Sequence, residues 1–241
     1  AGKTNKMLST KVDKICVAYD GMERFFPADK IMKTGNPVRQ NIINADISRE
    51  DAVRQFGLDP AKKTILIVGG SLGARTVNES VLSHLDDIET SGVQFIWQTG
   101  KYYNASIMQQ LKSHKELPML RALDFISDMG AAYKAADLVI SRAGASSISE
   151  FCLIGKPVIL VPSPNVAEDH QTKNAMALVD RDAAMMVRDI EAKDKVIRLA
   201  LDTVMDQHKL DSLSENVLKL GLPHSADVIA DEVLKLAENK Q

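Results

Sequence analysis

The chain has 241 residues, 45% hydrophobic and 26% charged, with a formal net charge of −2. That composition is ordinary for a globular protein and gives no electrostatic reason to expect a nucleic-acid partner. No apolar run approaches the roughly 18 residues of a membrane-spanning helix, and the opening residues are expected to carry no signal peptide. The two cysteines, Cys16 and Cys152, lie far apart; they make no metal or redox spacing and read as reduced, buried thiols.

The opening forty residues carry two strand-like runs, "KVDKICVAY" and "KIMKTG", with "GMERFFP" between them. They suggest two strands of a unit whose earlier part is absent. "TGNPVR", Thr34 to Arg39, is turn chemistry and a natural domain junction. From Lys63 onward short apolar runs alternate with amphipathic ones. The predicted strands are "TILIVGG", "VQFIWQTG", "MLRALDF", "DLVISRAG", "PVILVPSP" and "AAMMVRD". The helices predicted between them run from Ala74 to Leu85, Asn104 to His114, Ser127 to Ala136, Ser147 to Leu153 and Asp169 to Val179. Two more follow, Lys193 to Asp206 and Leu213 to Leu220, then a final one from Ser225 to Lys240. Its apolar residues Val228, Ile229, Val233, Leu234 and Leu236 recur at helical spacing, and their expected cover is the apolar "ICVAY" and "FF" of the first forty residues. Alternating strands and helices, the strands apolar on both faces, predict an α/β fold: a Rossmann-like, doubly wound parallel sheet.

In such a sheet ligands bind where strands end and helices begin, and three junctions qualify. "GGSLGAR", Gly69 to Arg75, lets the backbone approach a ligand and presents helix N–H groups that suit phosphate. It is neither a Walker loop nor the full dinucleotide fingerprint, and a tight packing turn explains it as well. Gly69 to Gly73 also fits G-x-S-x-G, the nucleophile elbow of an α/β-hydrolase. That reading needs Ser71 to be served by Asp137 or Asp169 and by His208 or His224. "SRAGASSISE", Ser141 to Glu150, is the second junction. Ser147 to Glu150 spells S-x-x-E, a capping box. Against that, Ser146 and Glu150 share a helix face, and N–H groups for a phosphate beside a carboxylate for a ribose diol make a nucleotide site. The third, "PSPNVAEDHQTKNA", brings His170, Gln171 and Asn174 close together, groups suited to sugar hydroxyls or to a plain helix start.

"TGNPVR", "GGSLGAR", "FISDMGAAYKAADLVISRAGASSISE", "GKPVILVPSP" and "DHQTKNA", in this order, resemble the MurG family. These are bacterial transferases that move GlcNAc from UDP-GlcNAc to the muramoyl sugar of lipid I, giving lipid II in peptidoglycan synthesis. The resemblance runs from residue 1 to the last helix. It implies a GT-B architecture, two Rossmann-like domains across a cleft, with this chain as the end of the first domain and the whole donor-binding second one. Residues 1–39 would be the remnant of the acceptor domain, 40–222 the UDP-sugar domain, and 223–241 a helix returning to the first domain. The family's first glycine-rich loops, its proposed base, its lipid I site and its membrane-docking patch have no counterpart here. The chain alone is therefore expected to be inactive and to hold no catalytic residue.

Carried over position by position, Ser71 resembles the diphosphate contact and Arg39 a donor-site arginine at the domain junction. Ile126 resembles the residue whose backbone reads uracil. Ala145, Ser146, Ser147, Ile148, Ser149 and Glu150 resemble the helix-start segment, with Glu150 on the ribose. Gln171, with or without His170, resembles the contact to the GlcNAc hydroxyls. The implied reaction is an inverting transfer with no cofactor and no metal, by an enzyme on the inner face of the bacterial cell membrane. The implied partners are UDP-GlcNAc, lipid I and the membrane surface. Two alternatives remain open: a GT-B transferase for another UDP-sugar, and a non-catalytic nucleotide-binding domain.

Overall fold

The computed structural model describes residues 2–166 and 169–238. Part of the predicted 162–175 junction (Ala167 and Glu168) and the end of the predicted last helix (Asn239 and Lys240) lie outside the described residues. The chain divides into two compact units, one made of residues 1–39 with 221–241 and the other of residues 40–220.

The first unit holds α1 (Lys3–Leu8), β1 (Ile15–Val17), β2 (Ile31–Lys33) and the last helix, α12 (Ser225–Glu238). The two short strands pair in parallel, Ile15 against Ile31, and "GMERFFP" between them forms a 3-10 turn at Met22–Arg24. Cys16 is exposed, against the buried thiol expected, whereas Cys152 is buried. The backbone at Gly35 passes against Leu222 and Ser225, so the two ends of the chain meet within this unit. The stripe on α12 is only partly covered. Ile229 and Leu236 are half-buried, whereas Val228, Val233 and Leu234 stay 41 to 61% exposed, because two three-residue strands offer little apolar surface to cover a fourteen-residue helix.

The second unit is one parallel sheet. Its strands are β3 (Thr64–Val68), β4 (Gln94–Gln98), β5 (Leu120–Leu123), β6 (Leu138–Ser141), β7 (Val158–Leu160) and β8 (Met185–Met186). They lie in the order β5-β4-β3-β6-β7-β8, with every pairing parallel. The chain order therefore reverses direction between β3 and β6, the switch point at which doubly wound sheets open a crevice. Side chains alternate across the pleat. Ile65, Ile67, Phe95, Trp97, Leu138 and Ile140 thus pack in one core with Val77, Val81, Val196 and Ile197. Those last four come from α4 (Arg75–Leu82) and α10 (Asp189–Met205). Leu66, Ile96 and Val139, also fully buried, point to the other face, where α3 (Arg49–Gln55), α7 (Met129–Ala135) and α8 (Ala145–Ile154) supply Val53, Ala132 and Phe151. Burying one such aliphatic or aromatic side chain stabilises by about 1.5–3 kcal/mol. Trp97 keeps its polar end satisfied: Nε1 donates to Asn78 Oδ1 at 3.0 Å, and Asn78 Nδ2 donates to the Thr99 carbonyl at 2.8 Å.

Several boundaries differ from expectation for local reasons. The predicted helix from Ala74 to Leu85 is two, α4 and α5 (Leu85–Thr90), because the chain leaves helical geometry at His84. α2 (Gln40–Ile43) and α3 were not foreseen, although Ser48 caps α3 by accepting from the Asp51 N–H at 3.1 Å. α6 (Asn104–Ser113) and α9 (His170–Val179) stand within a residue of their predicted limits. After α10 comes α11 (Gln207–Leu218), so the tail helices begin earlier than their apolar spacing shows.

At the amino edge of the sheet, Asp137 Oδ2 accepts from Arg49 Nη2 at 2.7 Å and from the Thr64 N–H at 2.8 Å. Lys156 Nζ donates nearby to the Ala136 carbonyl at 2.7 Å. Burial pushes the Lys156 ammonium down to about 8, despite the opposing pull of Asp137. Its folded pKa lies below the ordinary lysine value of about 10.4. The cost of burying the charge is therefore complete below pH ~8 and is relieved as pH rises from ~8 to ~10.4. Urea unfolding of wild type and Lys156→Met should diverge accordingly. Relative to the variant, wild type gains on the order of 2 kcal/mol between pH 7 and pH 10; parallel pH profiles would contradict this.

Candidate functional site

The turn after β3 and the turn after β6 leave adjacent strands at the switch point. Between them opens a cleft of about 680 Å³, and every residue lining it belongs to the 40–220 unit. Gly69, Gly70 and Gly73 form one wall, Gly144 and Ser147 at the start of α8 another, and Ser163, Asn165 and Gln171 a third. Gly73 has a φ of +85°, and a Cβ there would run into the Thr99 carbonyl and lie 2.8 Å from Tyr103 Cδ2. Gly100, with a φ of +83°, faces it from the turn after β4. The β3 turn can lie this close to its neighbour only as bare backbone.

α8 starts at Ala145, with Gly144 as its N-cap and no side-chain cap. The capping box predicted from Ser147 to Glu150 is therefore absent, since Ser147 is already inside the helix. Glu150 falls in the second turn, where Oε2 accepts the Tyr133 hydroxyl at 2.7 Å. Without a capping side chain, the first N–H groups of α8 are presented at the cleft beside Gly144, and the positive end of the helix dipole favours an anion there. Of the other predicted residues in this segment, Ser146 is exposed and Ala145 half-buried. Ile148 is 2% exposed and packs into the core; Ser149 bonds back to the Ala145 carbonyl at 3.1 Å.

Gln171 ties two junctions together. Its Oε1 accepts the Ser163 N–H at 2.9 Å and the Ala143 N–H at 3.2 Å. Two N–H donors identify that atom as oxygen, which leaves the NH2 as a donor beside the cleft. Asn174 braces the same turn by donating to the Ala143 carbonyl at 3.2 Å. His170 is exposed and does not line the cleft, whereas Gln171 does. Ser71 sits exposed at the tip of the β3 turn, next to cleft-lining Gly70. The Ile126 N–H donates to Gln98 Oε1 at 3.1 Å, and Gln98 Nε2 donates to the Gly70 carbonyl at 3.0 Å. Arg39 is exposed and belongs to the first unit.

The nucleophile-elbow reading fails on position. Ser71 follows β3 at the carboxyl edge, whereas Asp137 precedes β6 at the amino edge, where Arg49 already pairs with it. Asp169 Oδ1 accepts from Thr172 at 2.6 Å; His208 is exposed on α11, and His224 lies in the other unit. No hydrogen bond joins Ser71 to a histidine among the described residues.

Three residues at the cleft escaped the sequence reading. Arg142 Nη1 donates to Asp189 Oδ1 at 2.5 Å and to the Val161 carbonyl at 3.0 Å. Thr76 Oγ1 also donates to Asp189 Oδ1, at 2.5 Å, while accepting from Arg142 Nη2 at 3.2 Å. A polar residue ending an apolar strand, as in "VISR" and "FIWQ", was the available signal for Arg142 and Gln98. Nothing local marks Asp189.

The glycosyltransferase family 28 C-terminal domain model matches residues 64–229, which contain the whole sheet and the cleft. The chain belongs to that family. It is 64% identical over 99% of its length to a protein of Phocaeicola vulgatus named UDP-N-acetylglucosamine--N-acetylmuramyl-(pentapeptide) pyrophosphoryl-undecaprenol N-acetylglucosamine transferase, and covers 63% of it. A protein of the same name from Cytophaga hutchinsonii is 48% identical over 98% of this chain, with 63% of that relative covered. The chain spans 63 to 65% of the length of the curated relatives it matches. Among solved structures, Acinetobacter baumannii MurG superposes with a TM-score of 0.74 at 29% identity, covering 98% of this chain and 64% of that one. A Staphylococcus aureus MnaA–UDP structure, 13% identical over 97% of this chain and 63% of that one, has a TM-score of 0.68; at that identity the likeness shows the fold alone. The Rossmann-like sheet of a GT-B C-terminal domain is thus established for residues 40–220.

Proposed function

We propose that this chain is the donor-binding part of a transferase that moves GlcNAc from UDP-GlcNAc to the muramoyl sugar of lipid I. The observation that carries the reading is the cleft at the β3/β6 switch point. There a bare-backbone turn and an uncapped helix N-terminus face the same space, in a chain of family 28 whose relatives carry that transferase's name. In this reading the β3 turn around Ser71 and the N–H groups of Ala145 to Ser147 bind the diphosphate. The Glu150 carboxylate accepts from the ribose diol, the backbone at Ile126 meets the uracil, and the Gln171 NH2 donates to the GlcNAc.

The proposed reaction begins with the acceptor hydroxyl attacking the anomeric carbon on the face opposite the diphosphate. The C–O bond to UDP breaks, the hydroxyl's proton passes to a base outside this chain, and the leaving diphosphate gains negative charge. N–H dipoles fixed in advance at that position stabilise the charge as it develops. Lipid I, and the inner membrane surface that carries it, are partners proposed for the whole protein.

Calorimetric titration with UDP, UDP-GlcNAc, UDP-glucose and a p-nitrophenyl ester tests the assignment. Heat with UDP and UDP-GlcNAc, a weaker response to UDP-glucose and no ester cleavage are expected. Tighter binding of UDP-glucose would favour the other-sugar transferase, and silence with all three nucleotides would end the nucleotide reading.

A further inference from the structure

The cleft contains a carboxylate where a site for a diphosphate would be expected to exclude one. Asp189, the first residue of α10, lines it together with Arg142, and their side chains are only 19% and 16% exposed. Every hydrogen bond to the Asp189 carboxylate from a described residue ends on Oδ1, from Arg142 and Thr76. Arg142 is held from three sides: by Asp189, by the Val161 and Pro162 carbonyls at 3.0 and 3.3 Å, and by Thr76. The other cationic residue of the lining, Arg75, is 75% exposed and pairs with Glu79 at 3.6 Å. Arg142 is therefore the cleft's fixed positive charge, and Asp189 offsets it.

We propose that Arg142 and Asp189 form a charge-compensating pair that sets how strongly the cleft prefers a nucleoside diphosphate to an uncharged nucleoside. This rests on the nucleotide reading above. Arg142 alone would make the partly buried cleft strongly cationic, and Asp189 alone would repel the diphosphate. Paired, they leave a near-neutral wall in which the backbone N–H groups of the β3 turn and α8 decide binding. The pairing also fixes the guanidinium against the loop after β7, so the charge has one position rather than many. Removing either partner should change diphosphate affinity in opposite directions, because at shielded positions charges act over several ångströms with little screening. Neither change should touch a ligand that carries no phosphate.

The test titrates UDP and uridine into wild type, Asp189→Asn and Arg142→Met at two salt concentrations. Asparagine keeps the size of Asp189 and its acceptor for Arg142 and Thr76 while deleting the charge. Asp189→Asn is expected to tighten UDP roughly three- to tenfold, with a steeper loss of affinity on adding salt, while uridine changes less than about twofold. Arg142→Met is expected to weaken UDP roughly tenfold or more and to leave uridine alike. A purely structural brace predicts that UDP and uridine weaken together in both variants, and that outcome overturns the proposal, as does an unchanged UDP affinity in Asp189→Asn. Should Arg142→Met fail to fold, the isosteric Asp189→Asn arm decides by itself. A wild-type chain that binds neither ligand removes the nucleotide reading and the pair's role with it. One that binds both, with parallel shifts in the variants, removes the pair's role alone.

Discussion

Gly73→Ala is expected to cost about 2–4 kcal/mol of stability and to reduce UDP affinity at least roughly tenfold. The residue sits at a φ of +85°, a region that costs a side chain on the order of 1 kcal/mol before any contact is counted. The added methyl would also meet the Thr99 carbonyl and Tyr103. Neither can move freely. Thr99 is held by Asn78, whose own amide is fixed by Trp97 in the core, and Tyr103 packs against that core. The turn itself must therefore shift, and with it the Gly69–Gly70 backbone that forms the cleft wall. Gly92→Ala is the control: its φ is +72°, but nothing lies within 4 Å of the added carbon. It should lose on the order of 1 kcal/mol and bind UDP normally. Urea unfolding and calorimetry on both variants check the pair of outcomes; equal effects would mean that strain alone, not the close approach, explains Gly73.

Glu150→Ala is expected to weaken UDP roughly tenfold to a hundredfold, the loss of one charge-assisted hydrogen bond, with little change in melting temperature. Glu150 lies beyond the first turn of α8, whose N-cap is Gly144, so the predicted Ser147–Glu150 capping box does not account for it. One of its protein partners is the Tyr133 hydroxyl, so Tyr133→Phe measures that bond's structural share separately and should leave UDP affinity within about threefold. Titration with 2′-deoxy-UDP sharpens the assignment. Wild type should prefer UDP, and Glu150→Ala should bind the two equally. A variant that melts earlier yet keeps its preference for UDP would show that Glu150 serves the helix and not the ribose.

Much of the fold was legible because its signals are local. Runs such as Ile65 to Val68 and Phe95 to Trp97 are apolar on both sides of the pleat, and they read as buried parallel strands because burial on two faces leaves no polar alternation to see. α6 and α9 stood within a residue of their predicted limits because glycine or loop chemistry precedes each and the apolar spacing stops with the helix. α3 was missed since only Ala52 and Val53 of its seven residues are buried, too few to make a periodic stripe. The start of α8 was misplaced because S-x-x-E at Ser147 is a real capping pattern. Gly144 and the tight exit from β6 begin the helix two residues earlier.

Local sequence patterns carried the alternation of strands and helices, and so a parallel sheet whose expected ligand edge is at the carboxyl ends. They also placed Ser71, the segment from Ala145 to Glu150, and Gln171 at the three junctions, since each lies beside a local strand-to-helix break. The tertiary structure alone decided which junctions meet. β3 and β6 are 70 residues apart in the chain yet adjacent in the sheet, and adjacency at the switch point is a property of strand order, which no local pattern encodes. For the same reason only the fold could bring Asp189 beside Arg142 and Thr76, place Gln98 between Gly70 and Ile126, and turn Glu150 toward Tyr133. These contacts join segments from 17 to 113 positions apart. The chain closes them only when the apolar faces of the strands and helices are buried together, because that burial supplies the free energy that offsets ordering such distant segments.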